Sequence, residues 1–130
     1  MDAAGMTKEQ VLQEFFSGFG LTAFQEDAVP TGGDKPQFPY ITYEVATDSF
    51  GAEVPLSACA WYRSTSWNDA NAKAREVAKF ISRGGKIYPC DDGGMWIKPA
   101  SPFVRSMGDD SDDMIKRKVF NFTIEYITEV

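Results

Sequence analysis

The chain has 130 residues and a mass of 14.4 kDa, which suits one domain and is too short for two independent cores. Apolar residues make up 43% of it and charged residues 25%, enough to fill one core and cover its surface, so general disorder is excluded. Acidic residues outnumber basic ones by 19 to 13, and the formal charge of -6 disfavours sequence-specific binding to nucleic acid.

The sequence contains no histidine. Ser-His-Asp or Cys-His catalysis, zinc sites with histidine ligands and histidine-based pH switches are therefore excluded. We expect Cys59 and Cys90 to be free thiols of a soluble intracellular protein, because no apolar leader segment is visible. No window reaches the roughly 18 consecutive apolar residues of a membrane span, so no membrane partner is expected.

The first third of the chain predicts one helix, one short strand and a long loop. Apolar residues at helical spacing predict a helix over residues 7–17, with Thr7 and Gln10 as a capping box, after a loose tail at residues 1–6. Residues 21–24 predict an edge strand. The proline- and glycine-rich residues 30–39 predict an exposed loop.

The middle of the chain predicts a hairpin followed by a second helix. Polar and apolar residues alternate over residues 40–48 and again over residues 54–63, which predicts two antiparallel strands joined by a turn at residues 49–51. Ser66 is expected to cap a helix over residues 67–82 that ends at two glycines. Its apolar face is predicted to consist of Ala70, Ala74, Val77, Ala78 and Ile81.

The last third predicts a meander of three strands. Strands are expected at residues 86–89, 95–98 and 115–128, with a turn at residues 91–94 and a loop at residues 101–113. No internal repeat or linker is visible, so residues 1–130 form one predicted domain. Its predicted class is α+β, with a mostly antiparallel sheet packed against two main helices.

The most acidic segment contains four aspartates, Asp109, Asp110, Asp112 and Asp113. Oxygen-rich loops can bind calcium, but the spacing of an EF-hand fails, because its sixth position is a methionine and its twelfth a phenylalanine. Acid-base catalysis is disfavoured on so polar a turn. A solvated turn or an interaction surface is the favoured interpretation.

Aromatic rings and a cation come together at Trp61, Tyr62, Arg63 and Trp67. This combination occurs in single-strand nucleic-acid binders and in protein interfaces, and the acidic balance favours core packing and a protein interface. The glycines before Lys86 lack the spacing of a phosphate loop, and two thiolates without histidine make a poor zinc site. We therefore expect no metal and no cofactor.

Several segments, taken in order, resemble those of small tail-completion proteins of long-tailed phages and prophages. They are Pro39-Tyr40-Ile41-Thr42-Tyr43, Trp61-Tyr62-Arg63-Ser64-Thr65-Ser66-Trp67, Ala70-Asn71-Ala72-Lys73-Ala74, Gly93-Gly94-Met95-Trp96-Ile97, Pro102-Phe103 and, after the acidic turn, Ile115-Lys116-Arg117. In particular, roughly residues 39–126 resemble the tail terminator, also called a minor capsid or head-tail joining protein.

The resemblance implies an α+β fold and a ring, usually hexameric, that caps the tail tube and offers the surface on which the head docks. It implies no catalysis and no cofactor. The implied partners are other copies of the chain, the major tail tube protein and head-tail connector proteins, with DNA passing through the ring. The implied location is the host cytoplasm during assembly and then the virion. Two alternatives stay open: a head-tail connector or neck protein, and a small non-viral ligand-binding or enzymatic domain with a pocket between helix and sheet.

No defined set of contact residues transfers from this divergent family, so the candidate interface is predicted from charge and loop position. We expect the acidic turn and the basic stretch that follows it to meet opposite charges on another copy or on the tail tube. The loops at residues 30–39 and 101–113 are expected to be ordered by a neighbour. The candidate residues are Asp109, Asp110, Asp112, Asp113, Lys116 and Arg117, with Phe103 and Arg105 from one loop and Asp34 and Lys35 from the other.

Overall fold

The computed structural model describes residues 6–45, 53–91 and 93–128 of the chain. Within them lie helices α1 (Lys8–Ser17) and α2 (Asn68–Ile81) and short 3-10 helices at Glu26–Ala28 and Gly32–Asp34. The strands are β1 (Thr22–Gln25), β2 (Tyr40–Val45), β3 (Glu53–Arg63), β4 (Lys86–Cys90), β5 (Gly93–Met107) and β6 (Ile115–Thr128). They form one sheet in the order β1-β2-β3-β6-β5-β4, in which only the β1–β2 pair is parallel. The predicted mixed α+β class with a mostly antiparallel sheet is confirmed.

Helix α1 begins and buries its apolar side as the sequence predicts. The Thr7 hydroxyl oxygen accepts a hydrogen bond from the Gln10 amide at 3.2 Å, and the Gln10 side chain accepts one from the Thr7 amide at 2.9 Å. The reciprocal bonds satisfy two amide groups that the first turn leaves unpaired. Phe16 is fully buried, and its ring stacks on Tyr43 of β2 at 4.6 Å between centroids.

One face of the sheet is buried, and we call it the buried face. In β3 the alternating residues from Val54 to Tyr62 are all buried, and their intervening neighbours are exposed or half-buried. Phe120 of β6 is fully buried on the same face, and Phe15 of α1 lies 5.8 Å from Phe122 between ring centroids. The largest fully buried side chains are Tyr43, Phe16, Phe120, Phe122, Leu12, Ile41, Leu56, Ile81, Met95, Ile97, Ile124 and Val77.

Helix α2 begins one residue later than predicted. Its N-cap is Trp67, which makes no capping side-chain bond, and the Ser66 hydroxyl instead accepts from the amide of Asn68 at 3.0 Å. The predicted stop at two glycines is wrong: α2 ends at Ile81, its C-cap is Ser82 with φ 53°, and Gly84 and Gly85 lie beyond it. Gly85 has φ +72°, and a side chain there would collide with the Ile97 carbonyl oxygen. Four of the five predicted apolar positions are buried, and the fifth, Ala78, is half-buried.

Strand β5 is much longer than predicted, and the predicted loop at residues 101–113 is wrong over its first half. Pro99 and Pro102 suggested a break, but β5 continues to pair with β6 on both sides of a register shift between Pro99 and Val104. Prolines are tolerated at such irregularities because no ladder hydrogen bond is required of them there. Phe103 and Arg105 therefore lie in a strand and not in a mobile loop.

The predicted β2–β3 hairpin is confirmed, with Tyr40 paired to Trp61 and Val45 to Leu56. The predicted extension of its first strand beyond residue 45 and the turn at residues 49–51 lie outside the described residues, as do residues 1–5 and Asp92. In the described part of the chain no helix is long and apolar enough to cross a membrane.

Candidate protein-binding surface

The second face of the sheet, which we call the open face, carries a row of aromatic, arginine and methionine side chains. Strand pairing aligns Tyr40, Trp61, Arg117 and Met107 across β2, β3, β6 and β5, and we call these four residues the aromatic row. The rings of Tyr40 and Trp61 stack at 5.9 Å, and the Arg117 guanidinium lies 4.9 Å from the Trp61 ring centroid. Such residues are enriched where proteins bind one another.

A small cavity of about 150 Å³ opens beside the aromatic row, lined in part by Thr42, Cys59 and Arg117. The Trp61 indole donates a hydrogen bond to the Thr42 hydroxyl at 2.9 Å, which fixes the ring at the cavity wall. Burial raises the pKa of the Cys59 thiol to about 12, although the nearby Arg117 acts in the opposite direction. Cys59 is therefore a neutral thiol and not a nucleophile at neutral pH.

Arg117 is incompletely satisfied within the chain. One of its terminal nitrogens donates to the Gly108 carbonyl at 3.0 Å, but its Nε is buried and has no hydrogen-bond partner among the described residues. An unpaired buried donor costs about 1–3 kcal/mol. The fold bears this cost where the guanidinium packs against the Trp61 ring.

The acidic turn is shaped by two of its four aspartates. Asp109 accepts from the amide and hydroxyl of Ser111 at 2.9 and 2.6 Å, and these bonds lower the pKa of Asp109. Asp112 accepts from the Met114 amide at 2.9 Å and pairs with Arg63 Nε at 3.0 Å, and these contacts lower the pKa of Asp112. Both carboxylates stabilise the turn in the monomer.

The other two aspartates project from the turn. Asp110 and Asp113 are exposed, and among the described residues their carboxylates have no hydrogen-bond or ion-pair partner. The Asp113 carbonyl oxygen accepts a hydrogen bond from the Lys116 ammonium, so only the backbone of Asp113 is engaged. These two carboxylates are the ones that remain available for a cation on another molecule.

The basic stretch is divided between the two faces of the sheet, because consecutive residues of a strand point to opposite sides. Arg117 lies on the open face, whereas the ammonium groups of Lys116 and Lys118 lie 5.8 and 5.2 Å from the Trp67 ring centroid on the other side. Lys118 is only 8% exposed and donates to the Ser106 hydroxyl at 2.5 Å. Burial, and then repulsion by Arg75, lowers the pKa of Lys118. The three cations do not form one patch.

The acidic turn and the Arg117 side chain share one end of the sheet, as the bond from Arg117 to Gly108 shows. A closed ring needs two separate complementary surfaces, so that each copy contacts one neighbour on either side. Two adjacent, oppositely charged groups make up a single surface. The acidic turn and Arg117 therefore do not by themselves supply the two surfaces that a ring requires.

The remaining predicted residues lie in three places. Phe103 packs on Phe120 and Phe122, with ring centroids 5.7 and 5.2 Å apart, so its ring belongs largely to the core. Arg105 is exposed and pairs with Val119 on the open face, one row from Arg117. Lys35 is exposed immediately after the second 3-10 helix, in which Asp34 is the last residue.

Sequence analysis did not assign Tyr40, Thr42 and Met107 to the surface. The signal for Tyr40 and Thr42 was present, since both occupy the wetter side of the alternating pattern in β2. Met107 could not be found without the correct length of β5. Their alignment with Arg117 depends on the register of four strands, which single-sequence patterns do not specify.

The far end of the open face carries a compensated charge cluster. Lys98 lies 2.5 Å from a Glu53 carboxylate oxygen and 3.3 Å from one of Glu125, and its ammonium is 4.4 Å from the Trp96 ring centroid. One lysine faces two carboxylates, so the cluster keeps one net negative charge, and such exposed pairs contribute little to stability.

No group of three cysteine or acidic side chains within residues 6–45, 53–91 and 93–128 is placed to hold a metal ion. Comparison of the chain with profiles of protein families, with curated proteins and with solved structures finds no match.

Proposed function

We propose that this chain is a structural assembly protein of a long-tailed phage or prophage, which forms a ring on the end of the tail tube and presents the surface that joins the head. It binds other proteins stoichiometrically and catalyses no reaction. Both helices cover the buried face of the sheet, and the open face is left for partners. The partners proposed for the open face are the tail tube protein and head-tail connector proteins, and other copies of the chain complete the ring.

The aromatic row carries this proposal. Rings held by stacking lose little conformational freedom on binding, and the Arg117 guanidinium is already held against the Trp61 ring. Both features favour a surface that a second protein covers. The order of motifs along residues 39–126 supplies the narrower assignment to a phage tail.

The overall charge supports the same proposal. A ring through which DNA passes must not adsorb its phosphate backbone, and a formal charge of -6 repels it. The absence of histidine is compatible with a protein that acts by surface complementarity alone.

The proposal is tested by measuring the mass of the full chain by light scattering at several protein and salt concentrations, alone and with tail tube protein from the same phage or prophage genome. We expect rings at the ends of the tubes in electron micrographs. A chain that stays monomeric and leaves the tube ends bare would overturn the proposal. Binding to head-side connector proteins alone would favour a neck protein instead.

A charge reversal tests which surface faces the tube. We expect Arg117→Glu to abolish tube binding, because it reverses the open-face cation at the end of the sheet that carries the acidic turn. The matched control is Arg83→Glu, an equal charge change after the end of α2. Tube binding by the first variant at the wild-type level, at ordinary salt, would exclude this surface.

A further inference from the structure

An apolar groove of about 350 Å³ lies where the end of α1, the end of α2 and β4 meet. Phe15 and Phe19 from the first helical region, Phe80 of α2 and Tyr88 of β4 form its aromatic walls. Phe80 is 44% exposed although its ring contacts those of Phe15 and Phe19 at 6.1 and 5.5 Å. The groove thus offers aromatic ring surface to an apolar side chain from outside the molecule.

The groove is bordered by charges of both signs. Glu14 and Glu76 line it, Glu76 is paired with Lys73 at 3.0 Å, and the Lys86 ammonium lies 5.1 Å from the Phe80 ring centroid. The Lys73 ammonium also donates to the Phe19 carbonyl at 2.6 Å, which holds this pair in place. The Glu14 carboxylate has no hydrogen-bond or ion-pair partner in the described part of the chain. An occupant with an apolar anchor and a nearby cation would therefore complement the groove.

The chain itself carries such an anchor in the loop before β2. Phe38 is 37% exposed, and Lys35 is exposed three residues earlier in the same loop. Phe38 contacts Tyr40 at 5.3 Å between ring centroids, so the anchor is held against the start of β2. Aromatic side chains that are exposed but already oriented are suited to bind a preformed pocket.

Anchor and groove are two different surfaces of the chain. The anchor lies in the loop before β2, and the groove is lined by residues of α1, α2 and β4 and by Phe19. A contact between the anchor of one copy and the groove of the next therefore joins unlike surfaces. Such a head-to-tail contact repeats from copy to copy and closes into a ring when the rotation permits.

We infer that Phe38 of one copy inserts into the α1–α2 groove of the next, with Lys35 facing the unpaired Glu14 at its rim. This inference rests on the proposed function and supplies the ring contact that the acidic turn and Arg117 do not provide. The second copy is the single occupant proposed for the groove.

Phe38→Ser tests the anchor. We expect self-association to weaken by roughly tenfold to a hundredfold, the factor that corresponds to burial of one large apolar side chain. Ile87→Ser is the matched control, since Ile87 is 62% exposed on the open face and lies outside both surfaces. Wild-type self-association of Phe38→Ser would overturn the inference.

The charge contact is tested by reversal and restoration. Lys35→Glu and Glu14→Lys should each weaken self-association, and the double variant should recover part of the loss because the two charges are exchanged. Lys35 and Glu14 are both exposed, so their substitution should not disturb the fold. These variants therefore test the contact even if Phe38→Ser changes the conformation of the loop. Equal losses in the single and double variants would contradict the pairing of these two residues.

A mixing experiment tests the head-to-tail geometry. Phe38→Ser leaves a copy with a sound groove, and Phe80→Lys leaves a copy with a sound anchor. Because each variant keeps one half of the contact, their mixture should form dimers and no larger species. Rings in the mixture, or dimers of either variant alone, would overturn the arrangement.

A photo-crosslinking residue at position 38 gives an independent readout. The expected crosslinks join position 38 of one copy to groove residues of another, such as Phe80 or Tyr88. Crosslinks to the open face, or a wild-type chain that never self-associates, would overturn the inference. Binding to tube protein is measured separately. If Phe38→Ser still forms rings and binds the tube, only this inference is contradicted. If rings form and depend on Phe38 but do not bind the tube, only the proposed function is contradicted.

Discussion

The Arg117 guanidinium lies 4.9 Å from the centroid of the Trp61 ring, and the two residues are directly paired across β3 and β6. The ring is in turn held by its stack on Tyr40 and by the bond from its indole nitrogen to Thr42. This chain of contacts orients an arginine and two aromatic rings on the open face of the sheet within a single copy of the chain.

The bond from Trp61 to Thr42 should contribute measurably to stability. Trp61→Phe keeps a ring on Arg117 but removes the indole donor, and we expect the free energy of unfolding to fall by about 1 kcal/mol. The acceptor, Thr42, is only 7% exposed. Combining Trp61→Phe with Thr42→Val in a double-mutant cycle, measured by urea denaturation, isolates the contribution of the bond. Strictly additive effects of the two substitutions would show that the bond contributes nothing.

The buried ammonium of Lys118 should make stability depend on pH in the alkaline range. Its pKa is lowered from the ordinary value of 10.5, mainly by burial, so the unfolded chain holds this proton more tightly than the folded chain does. The resulting destabilisation is complete below the folded pKa and disappears as the pH rises through it toward 10.5. The free energy of unfolding of the wild type, relative to that of Lys118→Met, should therefore increase with pH. If the difference between the two free energies does not change with pH, the pKa of Lys118 is not lowered.

Ser82 should be replaceable by glycine with a gain in stability. It follows α2 with φ 53° and ψ -179°, a backbone region that side chains other than glycine rarely adopt. Ser82→Gly should raise the free energy of unfolding by about 1 kcal/mol or more in urea denaturation. Arg83→Gly is the control, because Arg83 has an ordinary φ and glycine there only adds freedom to the unfolded chain. If Ser82→Gly lowers the free energy of unfolding as much as Arg83→Gly does, the backbone at Ser82 is not strained.

The two free carboxylates of the acidic turn should assist binding to the tail tube. Asp110→Lys with Asp113→Lys should slow association with tube protein, and the effect should shrink as salt is added, because exposed charges are screened. Asp91→Lys, an exposed aspartate in the turn after β4, is the control. Binding rates measured by surface plasmon resonance that remain unchanged for the double variant would remove the acidic turn from the contact.

The two cysteines should resist alkylation in the folded protein. Cys90 is 4% exposed, and burial raises the pKa of Cys59 to about 12, so the folded chain holds little thiolate at neutral pH. We expect iodoacetamide to modify both residues only after denaturation, as followed by mass spectrometry. Rapid modification of Cys59 in the native state would show that its environment is more polar than the structure indicates.

Local features of the fold were predictable because they depend on neighbouring residues alone. The capping box of Thr7 and Gln10, the buried side of α1 and the alternation in β3 all follow from short-range spacing. The end of β5 did not follow, because Pro99 and Pro102 are local breakers whose effect was overridden by the long partner strand β6. A partner that is distant in sequence can sustain a strand that its own residues would end.

The candidate surface shows the same division. Composition and sequence by themselves determined that the chain has no histidine chemistry, a formal charge of -6 and an acidic segment at Asp109–Asp113, with cations beginning at Lys116. Only the tertiary structure decided that Arg117 joins Trp61 on the open face while Lys116 and Lys118 turn to the other. The physical reason is that strand register and pleat set which side chains share a face, and pairing between distant strands fixes that register.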